Sequence, residues 1–568
     1  MFACIGIIAL ATMMAFLPAL DNEFVHWDDM DNWVGNVHIR SFSRENLHWM
    51  FTSSLLGVWQ PLTWLLAAVQ YHFFGRGEQA DFSRAIHVIN IGLHAVASIL
   101  AFFLLRALIA LAAPRRAAEH PLGLNVAAAV AALLFAVHPL RVETVAWATA
   151  QPYILAVIGC FGCVLCYLRA AATGRWLWHA AACACFAASL LCKSIGIPMV
   201  AVLLVLDCYP LRRLGASAGS SAGPVRSPQR PDHGLAPVAR IRRTLLEKIP
   251  YAAIAAAAVG MALYASRAQP EYRADSAWKK SLIASHCLMF YAAVTFVPVR
   301  LAPYYMRPMA VDWRDADPWY VGAALALLIV TAATLVLRRR WPGLSAAWAC
   351  YVIILLPVVG FVRHGGQMAA DRYSYLSCFG WAALAGAAVL AVWNRPALRA
   401  AALLTGLTVA ALLGSRTAQY CRAWHDSVSL WTAMIERNPR FHMGFYNLAK
   451  AYKRNGDLPT AEQMYRRAIE LYPTYPQANV DLGNMMRAAG RPDDAERHYR
   501  DALRGRPGYH MAYMNLGYLR MSQKRTAEAI RCFELAEADA AAAGAQDRLP
   551  AIRRQLADLR AKSAAAPR

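Results

Sequence analysis

The chain has 568 residues and a formal charge of +23, from 58 Lys and Arg against 35 Asp and Glu. Yet 58% of its residues are hydrophobic and only 16% are charged, where soluble domains carry about 25%. These figures exclude a disordered chain, a disulfide-stapled secreted domain and a nucleic-acid binder. They leave a polytopic membrane protein whose positive charge sits in loops or in a soluble part.

Residues 3–20 form the first apolar run, with no basic stretch ahead of it and more spans behind, so it reads as a retained span rather than a cleaved signal. Further runs of membrane length follow at 86–111, 123–138, 153–170, 176–192, 195–209, 249–265, 319–337, 344–362, 375–393 and 397–414. Basic residues mark the cytoplasmic side at Arg115 and Arg116, Arg169 and Arg175, the loop 211–248, Arg338 to Arg340, and Arg395 and Arg399. That loop holds eight basic and two acidic residues and is rich in Gly, Ser and Pro, the composition of a flexible connection. Residues 21–85 and the end of the last span then lie outside. About eleven crossings satisfy both, with the stretch 282–299, which carries His286 and ends near Pro298, lying re-entrant or interfacial.

From residue 422 the composition changes and a 34-residue period emerges. Leu448, Leu482 and Leu516 repeat, as do Ala461, Ala495 and Ala529, the aromatics Trp431, Tyr465, Tyr499 and Phe533, and Pro439, Pro473 and Pro507. Small residues Ala449, Gly483 and Gly517 let paired helices approach, aromatics fill the groove, and Gly456 and Gly490 fall at turns. This is the tetratricopeptide (TPR) pattern, an α-solenoid. The expected organisation is all-α: a membrane helix bundle over 1–421, a TPR domain over 422–540, and a C-terminal helix or tail over 541–568.

Of the 19 acidic residues in 1–421, eight lie between 21 and 85. Asp28, Asp29 and Asp31 cluster in FVHWDDMDNWVGN, just outside the first span. Neighbouring carboxylates raise one another's pKa, which suits a general base or a pair of ligands for a divalent cation such as Mg or Mn. Acidic residues outside also serve simply to orient the first span.

Three polar patches sit at span edges: HVINIGLH with His87, Asn90 and His94, HPLRVE with His138, Arg141 and Glu143, and LCKSIG with Lys193. A lone cation in a span costs about 2.5–3.5 kcal/mol, so it snorkels to the interface, faces a polar cavity or meets a partner. Arg141 and Lys193 are candidates for holding a lipid phosphate. His87 and His94 share a helix face without a third ligand or an HExxH motif, the pattern of packing residues. In GGQMAADRYSYLSCFG, Arg372 stands between Asp371 and Tyr373 and either pairs with Asp or binds an anionic headgroup. Cys160, Cys163 and Cys166 lie in an apolar helix with no further ligands and read as small packing residues. No GxGxxG, Walker A or GxSxG motif is present, which removes support from ATP-driven transport and hydrolase chemistry.

Taken in order, FVHWDDMDNWVGN, WQPLTWLLAAVQYHFFG, IHVINIGLHAVASIL, HPLRVETVAW, LCKSIGI, DRYSYLS and RAWHDSVSLW leading into TPRs resemble the transmembrane-and-TPR protein O-mannosyltransferases and their bacterial relatives. The resemblance covers residues 20–535 and rests on the order of the motifs. It implies a GT-C type bundle that uses a polyprenyl-phosphate sugar, in a bacterial inner membrane with the TPRs in the periplasm receiving an acceptor protein or partner on their concave face. Asp28 and Asp29 match the family's acidic pair, which makes Asp28 the expected base and Asp29 its helper. Inversion at the anomeric carbon follows from direct displacement of the lipid phosphate. Arg141, Lys193 and Arg372 are the candidates for holding that phosphate. Pro61, His87, Asn90, His138, Pro139 and Glu143 match motif positions of no derived role.

The sequence departs from the family where a basic residue and Asp give way to Gln151, Pro152 and Tyr153, and where Ser194 replaces a Glu after Lys193. Asp371, Arg372 and Tyr373 stand for Glu-Arg-Tyr, a swap that keeps the charge. Competing readings are an oligosaccharide ligase or polymerase, which would need a large late external loop that is short here, and a non-catalytic membrane scaffold that displays TPRs.

Overall fold

The computed structural model describes residues 1–214, 236–267, 276–306, 318–361 and 367–564, so the centre of the expected basic loop lies outside the described residues. The chain forms two compact units, Met1–Asp426 and Ser427–Arg568. Almost all of both is α-helix. The sole sheet among the described residues pairs Tyr305–Met306 antiparallel with Gln367–Ala369, Tyr305 opposite Ala369.

In the first unit six helices are long and apolar enough to cross a membrane: Phe2–Asp21, Gln79–Ala112, Ala148–Thr173, Pro237–Ser266, Pro318–Arg339 and Pro396–Trp424. Two bent pairs raise the number to eight, and Trp176–Cys192, Ser194–Cys208 and Pro342–Leu355 are shorter apolar helices. The stretch expected to be re-entrant is one helix, Ala277–Phe296. The external segment also holds a helix that no span prediction covers, Pro61–Phe74.

Three local features position the site. The helices Gln151–Thr173 and Trp176–Cys192 form a hairpin turned by Gly174 at φ 68°. Their contact uses small residues: a Cβ on Gly159 would come within 2.9 Å of the Cys185 carbonyl, and Cys160 Sγ lies 3.2 Å from Ser189 Oγ. The cysteines are therefore packing residues, and the hairpin brings Lys193, at its far end, back beside Tyr153. Second, the pair Pro121–Ala136 and Pro139–Ala146 bends by 57°, at a proline that cannot donate to the preceding turn. Third, the pair Asp371–Ser377 and Phe379–Ala391 bends by 47°. These two breaks carry Glu143 and Arg372 into register.

The flanks of the basic loop are clasped together. Asp207 meets Lys248 Nζ at 2.7 Å and Arg213 at 3.3 Å, Arg213 reaches Glu247 at 2.7 Å, and the Tyr167 hydroxyl donates to Asp207 at 2.7 Å. Three of the eight basic residues counted in this loop, Arg213, Lys248 and Arg243 (3.5 Å from Glu247), are thus spent on this ion cluster.

The second unit is the expected stack of helix pairs from Ser427–Arg437 to Thr526–Ala542, closed by Leu549–Ala564, so the tail forms a helix over most of its length. Tyr465, Tyr499 and Phe533 are fully buried. The small positions are explained by them: a Cβ on Gly483 would lie 2.6 Å from the Tyr499 ring, and one on Gly517 2.8 Å from Phe533. The turns adopt the left-handed conformation at Gly456 (φ 83°), Gly490 (φ 74°) and, at the same position of the third repeat, Lys524 (φ 60°). Since a side chain is strained there, Lys524→Gly is expected to stabilise the unit by about 0.5–1 kcal/mol, read as a rise in its thermal unfolding midpoint.

Candidate active site

The two carboxylates expected to act together have different surroundings. Asp29 is 1% exposed, and its Oδ1 accepts the Thr149 hydroxyl at 2.5 Å and the Thr149 N–H at 3.0 Å, while Oδ2 accepts the Val25 N–H at 2.9 Å. Burial pushes its carboxyl up to about 7, against the pull of those three donors, and neighbouring Asp28 adds to the rise. Asp29 therefore ties the external segment to residues 148–150. Asp29 Oδ1 is filled by two donors, Oδ2 keeps one lone pair, and no group of three or more His, Cys, Asp or Glu among the described residues is placed to hold a metal ion. Asp29→Ala leaves buried donors without an acceptor and is expected to cost at least about 1–3 kcal/mol, seen as a lowered unfolding temperature of the purified protein.

Asp28 is partly exposed and feels the charge of two cations, neither within ion-pair distance of it among the described residues. Burial raises its carboxyl above the ordinary carboxylate range, Arg372 and then Lys193 pull it back, and Asp31 pushes it further up. Asp31 itself is exposed, in the turn Met30–Val34.

Those cations are two of the three expected phosphate holders. Arg372 forms a buried ion pair with Glu143, and its backbone N–H donates to Glu143 Oε2 at 2.7 Å. Its Nε donates to the Tyr153 hydroxyl at 3.3 Å, and its guanidinium lies 5.1–5.8 Å from the ring centres of Tyr373, Trp147 and Tyr153. Lys193 Nζ stands 3.5 Å from Gln60 Oε1 and 5.1 Å from the Tyr153 ring centre. Among the described residues it has no carboxylate within ion-pair distance. Tyr153, one of the departures from the family pattern, thus takes a place between two cations with a π face and a hydroxyl in place of a carboxylate.

The third cation is elsewhere. Arg141 is 1% exposed, with its guanidinium 4.8 Å from the Phe135 ring centre and 5.2 Å from that of Tyr375, and Nε donating to the Phe135 carbonyl at 3.3 Å. Tyr375 in turn lies 2.5 Å from His94 Nδ1. The remaining motif residues fasten helices. Asn90 accepts from Gln151 Nε2 at 2.7 Å, and Gln151 Oε1 accepts from Gln70 at 3.2 Å, so the other departure joins a neutral buried relay. His138 reaches the Thr295 carbonyl at 2.9 Å and accepts the Leu140 N–H. Asp371 accepts Tyr305 at 2.8 Å and Tyr420 at 3.3 Å, and Tyr373 lies 3.4 Å from Gln367. His87 is fully buried, and neither of its ring nitrogens has a hydrogen-bond partner among the described residues.

Sequence reasoning passed over Gln60, Thr149 and Trp147, which complete this constellation. Gln60 and Trp147 stand inside motifs it had quoted, but their polar or aromatic groups carried no charge to draw notice.

Models of the tetratricopeptide repeat match residues 443–507 and 480–546. The second unit is a TPR domain. The sequence is similar to human "Protein O-mannosyl-transferase TMTC1", 23% identical over an alignment of 525 residues that covers 84% of this chain and 56% of that protein. The chain spans little more than half the length of this curated relative. Membrane-length apolar helices followed by TPRs, with this similarity, support the transmembrane-and-TPR resemblance drawn from the motifs, and the chain is an integral membrane protein.

Proposed function

We propose that this protein transfers a sugar, such as mannose, from a polyprenyl phosphate to Ser or Thr hydroxyls of proteins on the outer side of a bacterial inner membrane. The observation that carries the reading is a partly exposed carboxylate, Asp28, close enough to two cations to feel their charge, of which one, Lys193, has no carboxylate within ion-pair distance among the described residues. A half-buried ammonium whose carboxylate neighbour stays beyond contact distance is incompletely compensated, and a second anion at contact distance stabilises it. A lipid phosphate at the membrane surface supplies that anion. The similarity to an O-mannosyl-transferase supports the choice of reaction.

In the step itself the acceptor oxygen attacks the anomeric carbon from the side opposite the phosphate. The bond from that carbon to the phosphate oxygen breaks, the electron pair leaves with polyprenyl phosphate, and the proton of the acceptor hydroxyl goes to Asp28. Attack from the far side inverts the anomeric centre. Lys193 and Arg372 stabilise the charge that grows on the leaving phosphate, in a site where water is scarce and such interactions are strong. Asp29 holds the external segment so that Asp28 keeps its place.

In this reading the TPR domain lies in the periplasm, an orientation that the charge of the loops supports, and receives the acceptor or a partner on its concave face. The test is an assay of purified full-length protein with polyprenyl-phosphate sugars and a pool of acceptor proteins. Transfer of label to protein, with release of polyprenyl phosphate and inversion of the linkage, is the expected result. Reporter fusions that put the TPRs in the cytoplasm would sink the proposal.

A further inference from the structure

Three tryptophans from separate motifs meet beside Asp28. Trp27 precedes it, Trp147 closes HPLRVETVAW, and Trp424 lies in RAWHDSVSLW. Ring centres are 5.1 Å apart for Trp27 and Trp147, 5.5 Å for Trp147 and Trp424, and 6.5 Å for Trp27 and Trp424. The corresponding planes differ by only 24°, 27° and 5°. Trp147 and Trp424 are 3% and 0% exposed, whereas Trp27 is only half-buried and also meets the Tyr304 ring, 6.2 Å away and tilted by 50°. The Arg372 guanidinium lies 5.4 Å from the Trp147 ring centre, so the cluster reaches from Asp28 to the cations.

Burial of ring area does not require parallel rings. Aromatic pairs also pack edge to face, as Phe24 with Phe82 and Phe135 with Tyr375 do in the same unit. Nor do hydrogen bonds align the cluster, since neither the Trp147 nor the Trp424 indole N–H has an acceptor among the described residues. What near-parallel indoles offer is a flat face of negative potential. Partly positive C–H groups complement such a face, and a pyranose gathers them on the side that carries its axial hydrogens.

We infer that Trp27, backed by Trp147 and Trp424, is the sugar platform of this site and stacks on that face of the donor pyranose. The inference rests on reading the site as a polyprenyl-phosphate sugar transferase. Lys193 and Arg372 then hold the phosphate, Trp27 holds the sugar, and the next residue, Asp28, takes the acceptor proton.

The experiment compares a polyprenyl-phosphate sugar as donor with sugar-free polyprenyl phosphate as competitive inhibitor, both on the full-length protein. Trp27→Ala is expected to raise the donor KM on the order of tenfold and to leave the inhibition constant of the sugar-free lipid unchanged. Trp27→Phe, which keeps a ring, falls between, and it carries the test if the Ala variant does not fold. Trp424→Phe removes no hydrogen bond and is expected to show a smaller shift of the same selectivity. Equal losses for both ligands, or no loss for the donor, overturn the platform. If the wild-type protein transfers no sugar from any polyprenyl donor, the reading of the site fails. If it transfers normally and the Trp27 variants keep their donor KM, the platform alone fails.

Discussion

Replacing Asp28 by Asn is expected to slow sugar transfer about 10²–10⁴-fold, the contribution of a positioned general base, with no loss of folded protein. The side chain is suited to this separation. Asp28 is partly exposed, and the hydrogen bond it contributes locally comes from its backbone carbonyl, which accepts Asn32 Nδ2 at 2.7 Å. Asp29 next to it carries the structural contacts, so the two aspartates are expected to give opposite phenotypes. Initial rates at matched protein, with thermal unfolding recorded alongside, distinguish them. An Asp28→Asn protein that transfers at the wild-type rate would falsify its role as base.

The same assignment fixes the sign of the pH dependence. A base works ionised, so the rate rises with pH through the Asp28 pKa, which burial has lifted above the ordinary carboxylate range. Lys193 lowers that pKa by favouring the carboxylate. Lys193→Met is therefore expected to move the acidic limb of the rate profile to higher pH, as well as to raise the donor KM. A weakened donor site without the pH shift would place Lys193 near the phosphate but away from Asp28.

Much of this was legible in the sequence, for physical reasons that differ by region. The TPR period is written in side-chain volume: at Gly483 and Gly517 an aromatic ring lies within 3 Å of a would-be Cβ, so only a small residue fits that column. The apolar runs locate helices because length and hydropathy are properties of a segment alone. Even there, the bend before Phe379 falls inside the run 375–393 that hydropathy draws as continuous, and the helix Pro139–Ala146 beyond the bend at His138–Pro139 lies outside the run 123–138. The site was legible in part. Charges in apolar surroundings drew attention to Asp28, Lys193, Glu143 and Arg372, because an unpaired charge there is expensive. The same reasoning picked Arg141, which the rings of Phe135 and Tyr375 shelter instead. Pairing across 229 residues, as between Glu143 and Arg372, has no local signature. Tyr153 reads in the sequence as the loss of an ionic partner, whereas its ring centre lies 5.1 Å from Lys193 Nζ and 5.8 Å from the Arg372 guanidinium.

Glu143 and Arg372 offer the second large effect. Their side chains are 1% and 11% exposed, so removing either leaves the other charge in a medium that solvates it poorly. Glu143→Ala is expected to destabilise the protein by about 3–5 kcal/mol, and toward the lower end because Tyr153, Trp147 and Tyr373 still face the guanidinium. Activity falls with it, which by itself does not separate a structural from a catalytic cause. The double variant does. Glu143→Leu with Arg372→Met removes both charges and fills their volume with apolar atoms, an exchange that is often neutral for stability. Its unfolding temperature is expected to recover most of the loss caused by Glu143→Ala alone. Its transfer rate is not, because one of the two cations proposed to meet the leaving phosphate is gone. A double variant that regains both stability and transfer would reduce Arg372 to a structural partner of Glu143 and leave Lys193 to hold the phosphate alone.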